Sequence, residues 1–142
     1  MESNSSIKLK PVAKNDALFL YDLLKTRDPL ANISHKKMPS YDEHVNFILS
    51  NPYTIWYIIE YEGKKIGSVY LSKHDEIGIS LVDNSLYDKI GKSIIKLLIK
   101  NNPRKHYLAK ISPQNEKLQN FFVNNGFRGL EYTYEMITEN ES

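Results

Sequence analysis

The hydrophobic and polar positions at the start of the chain predict a strand followed by two helices. Residues 7–12 alternate between apolar and basic side chains, which is typical of an edge strand. The two polar residues at 15–16 can cap a helix whose apolar face extends to Leu24. Ser40 and, three residues later, Glu43 form a capping box, which predicts that a second helix begins there.

The middle of the chain predicts an antiparallel meander of three strands. Residues 54–61 are rich in β-branched and aromatic side chains. The Glu-Gly pair at 62–63 is typical of a hairpin turn, and residues 65–72 form the returning strand. A short polar connection then leads into a third strand at 76–82. Each strand is therefore expected to pair with the one before it.

The last part of the chain predicts two helices and two more strands. A helical stripe with apolar residues at i, i+4, i+7 and i+8 consists of Ile90, Ile94, Leu97 and Leu98. Residues 107–111 then predict a strand parallel to 77–82, reached by a right-handed crossover. A further helix ends at Gly126. Alternating tyrosines in 127–137 predict a final strand. The predicted order is β-α-α-β-β-β-α-β-α-β, an α+β class.

Composition and charge restrict the class of protein. The chain has 142 residues, 41% of them hydrophobic, which predicts one domain over 1–142 with an ordered core at about 6–137 and frayed ends at 1–5 and 139–142. Its 19 basic and 17 acidic residues are too balanced to indicate a nucleic-acid partner. The absence of Cys excludes disulfides and thiol nucleophiles. The four His residues lack metal-ligand spacing, so no metal is predicted. No signal peptide or apolar span is evident, which predicts a cytoplasmic protein with no membrane partner.

Two segments carry a resemblance to a known family. Glu76, Ile77, Gly78 and Ile79 lie on a predicted strand before a turn that ends in Gly91. Residues 111–115 lead to Asn-Gly-Phe at 125–127. Their order and separation resemble the GNAT acetyltransferases over about residues 6–137.

The resemblance implies the GNAT acyl-CoA N-acyltransferase fold. This fold is a mixed, mostly antiparallel and twisted sheet flanked by helices, with a splayed central strand pair. Acetyl-CoA would bind in that cleft as the acyl donor. Its pantetheine arm would pair with strand backbone, and its pyrophosphate would lie on N–H groups at the start of the next helix. The cofactor contacts implied are Ile79, Leu81, Tyr87, Lys89, Ile90, Gly91, Lys92, Asn115 and Phe122.

The sequence departs from the family pattern at several of these positions. Leu86 and Lys89 stand where the family has Gln or Arg and then Gly. Phe122 stands where many members have a Tyr that protonates the leaving thiolate. Asn115 matches a cofactor-side Asn, and a helix cap explains it equally well. A modified but usable phosphate cradle and a vestigial turn are both consistent with these residues.

The chemistry needs a base for the acceptor amine and donors for the oxyanion. Glu76 is the predicted base, acting through a water, although it could equally be a strand residue with no catalytic role. A strand amide near Ile79 would hold the oxyanion. His35 and His44 could line the acceptor side or be structural.

These residues predict an N-acetyltransferase that transfers the acetyl group of acetyl-CoA to a primary amine. The acceptor could be an amino sugar, a small amine or a protein amino group. The alternative is a non-catalytic GNAT-fold binding or interaction protein with a degenerate CoA site. The last strand or a sheet edge could also support a homodimer, since exposed edges favour pairing.

Overall fold

The structure, a computed structural model, describes residues 6–26 and 38–138. Within those ranges one strand and two α-helices precede three consecutive strands, two further α-helices follow them, and a short 3-10 turn precedes the first helix. The elements are β1 (Ile7–Pro11), α1 (Ala17–Lys25), α2 (Tyr41–Leu49), β2 (Ile55–Tyr61), β3 (Lys64–Leu71), β4 (Ile77–Leu81), α3 (Ser85–Asn101) and α4 (Glu116–Asn124).

The four strands form one antiparallel sheet in the order β1-β2-β3-β4. The turn between β2 and β3 consists of Glu62 and Gly63, with φ angles of 52° and 81°. Positive φ at both central residues is what a two-residue type I′ turn requires. The predicted meander and its hairpin turn are therefore confirmed.

The predicted capping box at the start of α2 is also confirmed. The Glu43 backbone N–H donates to Ser40 Oγ at 3.1 Å, and the Ser40 backbone N–H donates to Glu43 Oε1 at 2.8 Å. Two of the N–H groups that a helix start leaves unpaired are thus satisfied by side chains. This cap fixes where α2 begins.

Helices cover both faces of the sheet. The α3 and α4 side carries an aliphatic and aromatic core whose fully buried members include Ile59, Val69, Leu71, Ile94 and Leu98. The α1 and α2 side carries a smaller cluster, which consists of Ala17, Leu20, Ile48 and Ile58. The result is a three-layer α+β arrangement. The period of 2 along each strand sends alternate side chains into the two clusters.

Gly91 explains how closely α3 and α4 pack. A Cβ at this position would overlap with the ring of Phe121 on α4. The glycine is therefore required by helix–helix packing. Tyr87, one helical turn earlier, contacts the same ring edge-to-face at 5.4 Å.

The predicted strand at 107–111 is not formed. Its only pairing within the described residues is an isolated parallel bridge between Glu76 and Leu108. The Leu108 N–H donates to the Asp75 carbonyl at 3.0 Å, and the Ile77 N–H donates to the Leu108 carbonyl at 2.7 Å. The predicted parallel pair is therefore reduced to one contact, and β4, like β1, is an edge strand of the sheet.

The predicted final strand at 127–137 is also absent. These residues have no regular secondary structure, and the side chains of Tyr132 and Tyr134 are each 88% exposed. Alternation fixes which side chains share a face, but a strand also needs a hydrogen-bonded neighbour. The segment that would supply this neighbour, 107–111, does not itself form a strand.

Candidate functional site

The outer edge of β4 presents backbone groups beyond its bridge to Leu108. The Val82 N–H donates to the Ile66 carbonyl, and the Ser72 N–H donates to the Glu76 carbonyl, each at 2.8 Å. Even-numbered residues of this strand therefore bond to β3. Since backbone direction alternates along a strand, the N–H and C=O groups of Ile79 and Leu81 face the outer edge. The Ile79 carbonyl accepts a long hydrogen bond, 3.4 Å, from the Tyr87 hydroxyl.

The start of α3 differs from the predicted phosphate turn. The helix already begins at Ser85, so residues 86–91 lie within its first two turns. The N–H groups of 89–92 are therefore at positions where a helix uses them internally. The amides of 89–92 are thus used within the helix, and binding of a diphosphate at the start of α3 stays a prediction.

Asp83 and Asn84 accept hydrogen bonds from the first backbone N–H groups of α3. The Ser85 N–H and hydroxyl donate to Asp83 Oδ1 at 2.9 and 3.0 Å. The Leu86 N–H donates to the Asp83 carbonyl, and the Tyr87 N–H donates to the Asn84 carbonyl. The hydrogen bonds from Ser85, its backbone N–H first, lower the pKa of the Asp83 carboxyl. A negative side chain thus lies where the helix N-terminus would attract an anion.

The predicted cofactor residues on α3 lie in different environments. Tyr87 and Ile90 are buried in the α3/α4 core, whereas Lys89 and Lys92 are exposed. Lys89 directs its Nζ over the Tyr61 ring at 5.8 Å. These placements bring only Tyr87 to the β4 edge. Contacts of the others with a cofactor stay predictions.

The predicted cofactor residues near α4 have clear structural roles. Asn115 Oδ1 accepts from the Leu118 N–H at 3.1 Å, so the helix-cap interpretation of Asn115 is confirmed. Phe122 is 2% exposed and packs edge-to-face between Phe121 and Phe127. Phe122 therefore belongs to the core and presents little surface to a ligand.

Glu76 forms the isolated bridge with Leu108 and lies directly before β4. Its Oε2 is 3.0 Å from Lys110 Nζ, and its Oε1 accepts from the Ser72 hydroxyl at 3.1 Å. The hydrogen bond from Lys110 lowers the pKa of Glu76 most, the Ser72 hydroxyl lowers it further, and partial burial opposes both. Glu76 is therefore ionised at neutral pH. Glu76 can act as a base only when Lys110 moves away. The exposed side chain of Lys110 allows this movement.

Sequence reasoning missed Tyr70, which lies on the same face of the sheet as Glu76. Tyr70 is paired across the sheet with Gly78, and a Cβ at Gly78 would overlap with the Tyr70 ring. The ring therefore lies flat on β4, two residues from Glu76. It stacks on Tyr53 with centroids 3.8 Å apart and planes 3° apart. An aromatic residue opposite a glycine on adjacent strands is the signal that could have found it.

The acceptor-side histidines are only partly described. His44 is 7% exposed on the inner face of α2, 5.5 Å from the Tyr21 ring, and its Nε2 has no hydrogen-bond partner. Burial lowers the pKa of His44, so its imidazole is neutral near pH 7. His35 lies outside the described residues.

The described residues contain neither a metal-binding cluster nor a helix that could span a membrane. No group of three or more His, Cys, Asp and Glu residues there is arranged to hold a metal ion. No helix in that part of the chain is both long and apolar enough to cross a membrane.

Solved structures share this arrangement across nearly the whole chain. A domain from Methanocaldococcus jannaschii superimposes with a TM-score of 0.75 and 24% identity, covering 91% of this chain and 92% of that one. A dodecameric spermidine N-acetyltransferase from Vibrio cholerae gives 0.71 and 16%, covering 96% and 87%. RimL, a ribosomal-protein α-N-acetyltransferase in complex with coenzyme A, gives 0.67 and 15%, covering 89% and 82%. The chain has the GNAT acetyltransferase fold.

The likeness is one of structure. No known family profile matches the sequence, and no curated protein matches it either. The GNAT fold predicted from residues 76–91 and 111–127 is confirmed. The structural neighbours named as acetyltransferases act on different amines, so the fold leaves the acceptor undetermined.

Proposed function

We propose that this chain is a single-domain GNAT N-acetyltransferase that transfers an acetyl group from acetyl-CoA to a primary amine. The observation that carries the proposal is the outer edge of β4, where Ile79 and Leu81 direct backbone groups away from β3 beside the ionised carboxylate of Glu76. The backbone groups at this edge can pair with the extended pantetheine arm of acetyl-CoA. The carboxylate can bind the acceptor amine and accept its proton.

The arm of acetyl-CoA fits this edge better than its phosphates fit α3. Amides of a pantetheine arm can pair with Ile79 and Leu81 as an added strand does. At the helix start, Asp83 already accepts from Ser85, so a diphosphate must displace this carboxylate. Asp83 is exposed, and its displacement leaves no buried charge. Lys117, held to Asp88 at 2.6 Å, is a nearby cation at the same end of the two helices.

Acetyl-CoA would supply the acetyl thioester, whose C–S bond breaks as the C–N bond to the amine forms. The acceptor binds as an ammonium, so it must lose a proton before attack. Glu76 accepts this proton, directly or through a water, once Lys110 has moved. The Ile79 N–H donates to the carbonyl oxygen as negative charge develops. The products are an amide, a thiol and one released proton, which balances the reaction.

Acetyl-CoA binding and turnover test the proposal separately. Acetyl-CoA at about 100 times its Kd should add roughly 2.7 kcal/mol of stability, seen as a raised melting temperature. Glu76→Gln should then reduce turnover and preserve the shift, while the exposed control Glu62→Gln should change neither. Unchanged turnover in Glu76→Gln would remove Glu76 from the mechanism.

A non-catalytic role is the second candidate, favoured by the capping of α3 by Asp83 and by the Glu76–Lys110 ion pair. Asp83→Ala separates the two candidates because it frees the Ser85 amide. In a CoA-binding protein this substitution should enlarge the melting shift with acetyl-CoA. If neither the native chain nor Asp83→Ala shifts at millimolar acetyl-CoA, the binding-module interpretation is supported.

A further inference from the structure

Four aromatic side chains form a continuous patch on the α2 side of the sheet, which we name the aromatic wall: Phe47, Tyr53, Trp56 and Tyr70. Phe47 lies 5.9 Å from Tyr53 and 6.0 Å from Trp56, and Trp56 lies 4.9 Å from Tyr53. Tyr53 stacks on Tyr70. Phe47 is 43% exposed, and the other three are half-buried. The wall is therefore partly open to solvent.

The aromatic wall ends at a carboxylate. Register places Trp56 opposite Tyr70 and Tyr70 opposite Gly78, so the wall crosses β2 and β3 and reaches β4. Glu76 is two residues from Gly78 and therefore on the same face of the strand. The Glu76 carboxylate is the acidic group at this end of the aromatic wall. The Ser72 hydroxyl donates a hydrogen bond to that carboxylate. A carboxylate at the end of an aromatic patch can pair with an ammonium group while the rings contact the apolar part of the same molecule.

A primary ammonium already occupies this environment. Lys110 Nζ lies 3.0 Å from Glu76 Oε2, and its side chain is 68% exposed. The hydrogen bond with Glu76 and its negative charge raise the pKa of Lys110, and the charge of Glu131 raises it further. The Lys110 ammonium thus has the same chemistry as the amine that a GNAT-fold acetyltransferase would accept.

We propose that Glu76 forms the ammonium site for the acceptor at the Tyr70 end of the aromatic wall, that Lys110 fills this site when no acceptor is bound, and that the acceptor is a primary amine attached to a flat aromatic ring lying against Tyr53 and Trp56. The proposal rests on the proposed acetyltransferase function and names its substrate class. Lys110 is a competitor for the site, since an exposed ion pair is easily exchanged for a second ammonium.

Trp56 allows binding to be measured without acetyl-CoA. It is the only Trp in the chain and lies within the aromatic wall. Titration with benzylamine should change Trp56 fluorescence saturably at neutral pH. Cyclohexylmethylamine, which has the same ammonium and a saturated ring, should bind about two- to tenfold more weakly, the factor that one aromatic pair contributes.

Two substitutions separate the ring from the ammonium. Tyr53→Ala should bring the two amines to equal affinity, with its melting curve confirming a folded chain. Lys110→Met should strengthen binding of both amines by up to about fivefold, because the competing ammonium is gone. Lys105→Met, an exposed lysine outside the site, should change neither affinity.

Each result decides one of the two proposals. The acceptor site is overturned if benzylamine gives no saturable signal, if the two amines bind equally to the native chain, or if Lys110→Met weakens binding. If Trp56 responds as expected but acetyl-CoA gives no melting shift, the transferase function fails and the amine site stands. If acetyl-CoA shifts the melt and benzylamine does not bind, the function stands and the aromatic class of acceptor is rejected.

Discussion

The two faces of the sheet differ in the types of residue that cover them and in how fully these residues are buried. The α3/α4 face is a dry core in which Ile59, Val69, Leu71, Ile94 and Leu98 are each 0% exposed. The α1/α2 face is smaller and rich in aromatic residues. The two buried side-chain polar atoms that lack partners within the described residues, His44 Nε2 and Trp56 Nε1, both belong to it.

This difference indicates that residues that stabilise the fold and residues suited to binding lie on opposite faces of the sheet. Close packing without orphaned polar groups stabilises the α3/α4 face. Unpartnered polar atoms and partly exposed rings cost stability, and proteins tolerate them chiefly where a site requires them. The comparison predicts that substitutions on the first face act on folding and that those on the second act mainly on binding.

The largest effect should come from a cavity on the α3/α4 face. Ile94→Ala removes a fully buried side chain and should destabilise the fold by about 2–5 kcal/mol. Phe47→Ala on the other face should cost only about 0.5–1.5 kcal/mol, because the ring is partly exposed. Urea denaturation measures both. Equal losses would remove the distinction between the faces.

A smaller loss should follow from overfilling the α3/α4 contact. Gly91→Ala places a methyl group against Phe121 and should destabilise by about 1–3 kcal/mol. Gly129→Ala is the matched control, since nothing lies within 4 Å of its added Cβ, and it should stay within about 0.5 kcal/mol. A neutral Gly91→Ala would mean that α4 can move away freely.

The unpartnered imidazole should make the α1/α2 face sensitive to pH. Burial lowers the folded-state pKa of His44 below its usual value of 6.5. As pH falls, His44 is therefore protonated in the unfolded chain before it is protonated in the folded chain. The stability that the neutral, buried imidazole contributes is fully present above pH 6.5 and is lost as pH falls through the folded-state pKa of His44. His44→Leu should lose less stability than the native chain between about pH 7.5 and pH 5.5. Exposed His106→Leu is the control, and an identical pH profile for His44→Leu would contradict the prediction.

The smallest effect should come from the Glu76–Lys110 pair at the site. The pKa of Glu76 is lowered from 4.5, so its stabilising contribution is present above that pH and is lost as pH falls through the depressed folded-state value. Glu76→Gln should cost no more than about 1 kcal/mol at neutral pH, because the partner lysine is exposed. In urea titrations the difference from the native chain should shrink as pH falls below 4.5 and should vanish once the pH is below the folded-state pKa of Glu76. A difference that grows on acidification would reverse the assigned sign.

Elements that depend on neighbouring residues can be predicted from the amino-acid sequence. The Ser40 capping box, the turn at 62–63 and the helical stripe of α3 all depend on residues close together in the chain, and each lies where the pattern predicts it. The Asn115 cap and the Gly126 helix end belong to the same class, and Gly126 has a φ of 95°. Local hydrogen bonding and steric limits decide such features without reference to the rest of the chain.

Features that join residues far apart in the chain became visible in the folded structure. Alternation at 127–137 could not reveal that no neighbouring strand is available, and the glycine at 91 could not reveal that Phe121 is what requires it. Asp83 at the start of α3 and Tyr70 on the same face as Glu76 likewise depend on how the elements are placed. Pairing partners and ring contacts lie far apart in sequence, and packing brings them together. Periodicity records which face is buried and says nothing of what covers it.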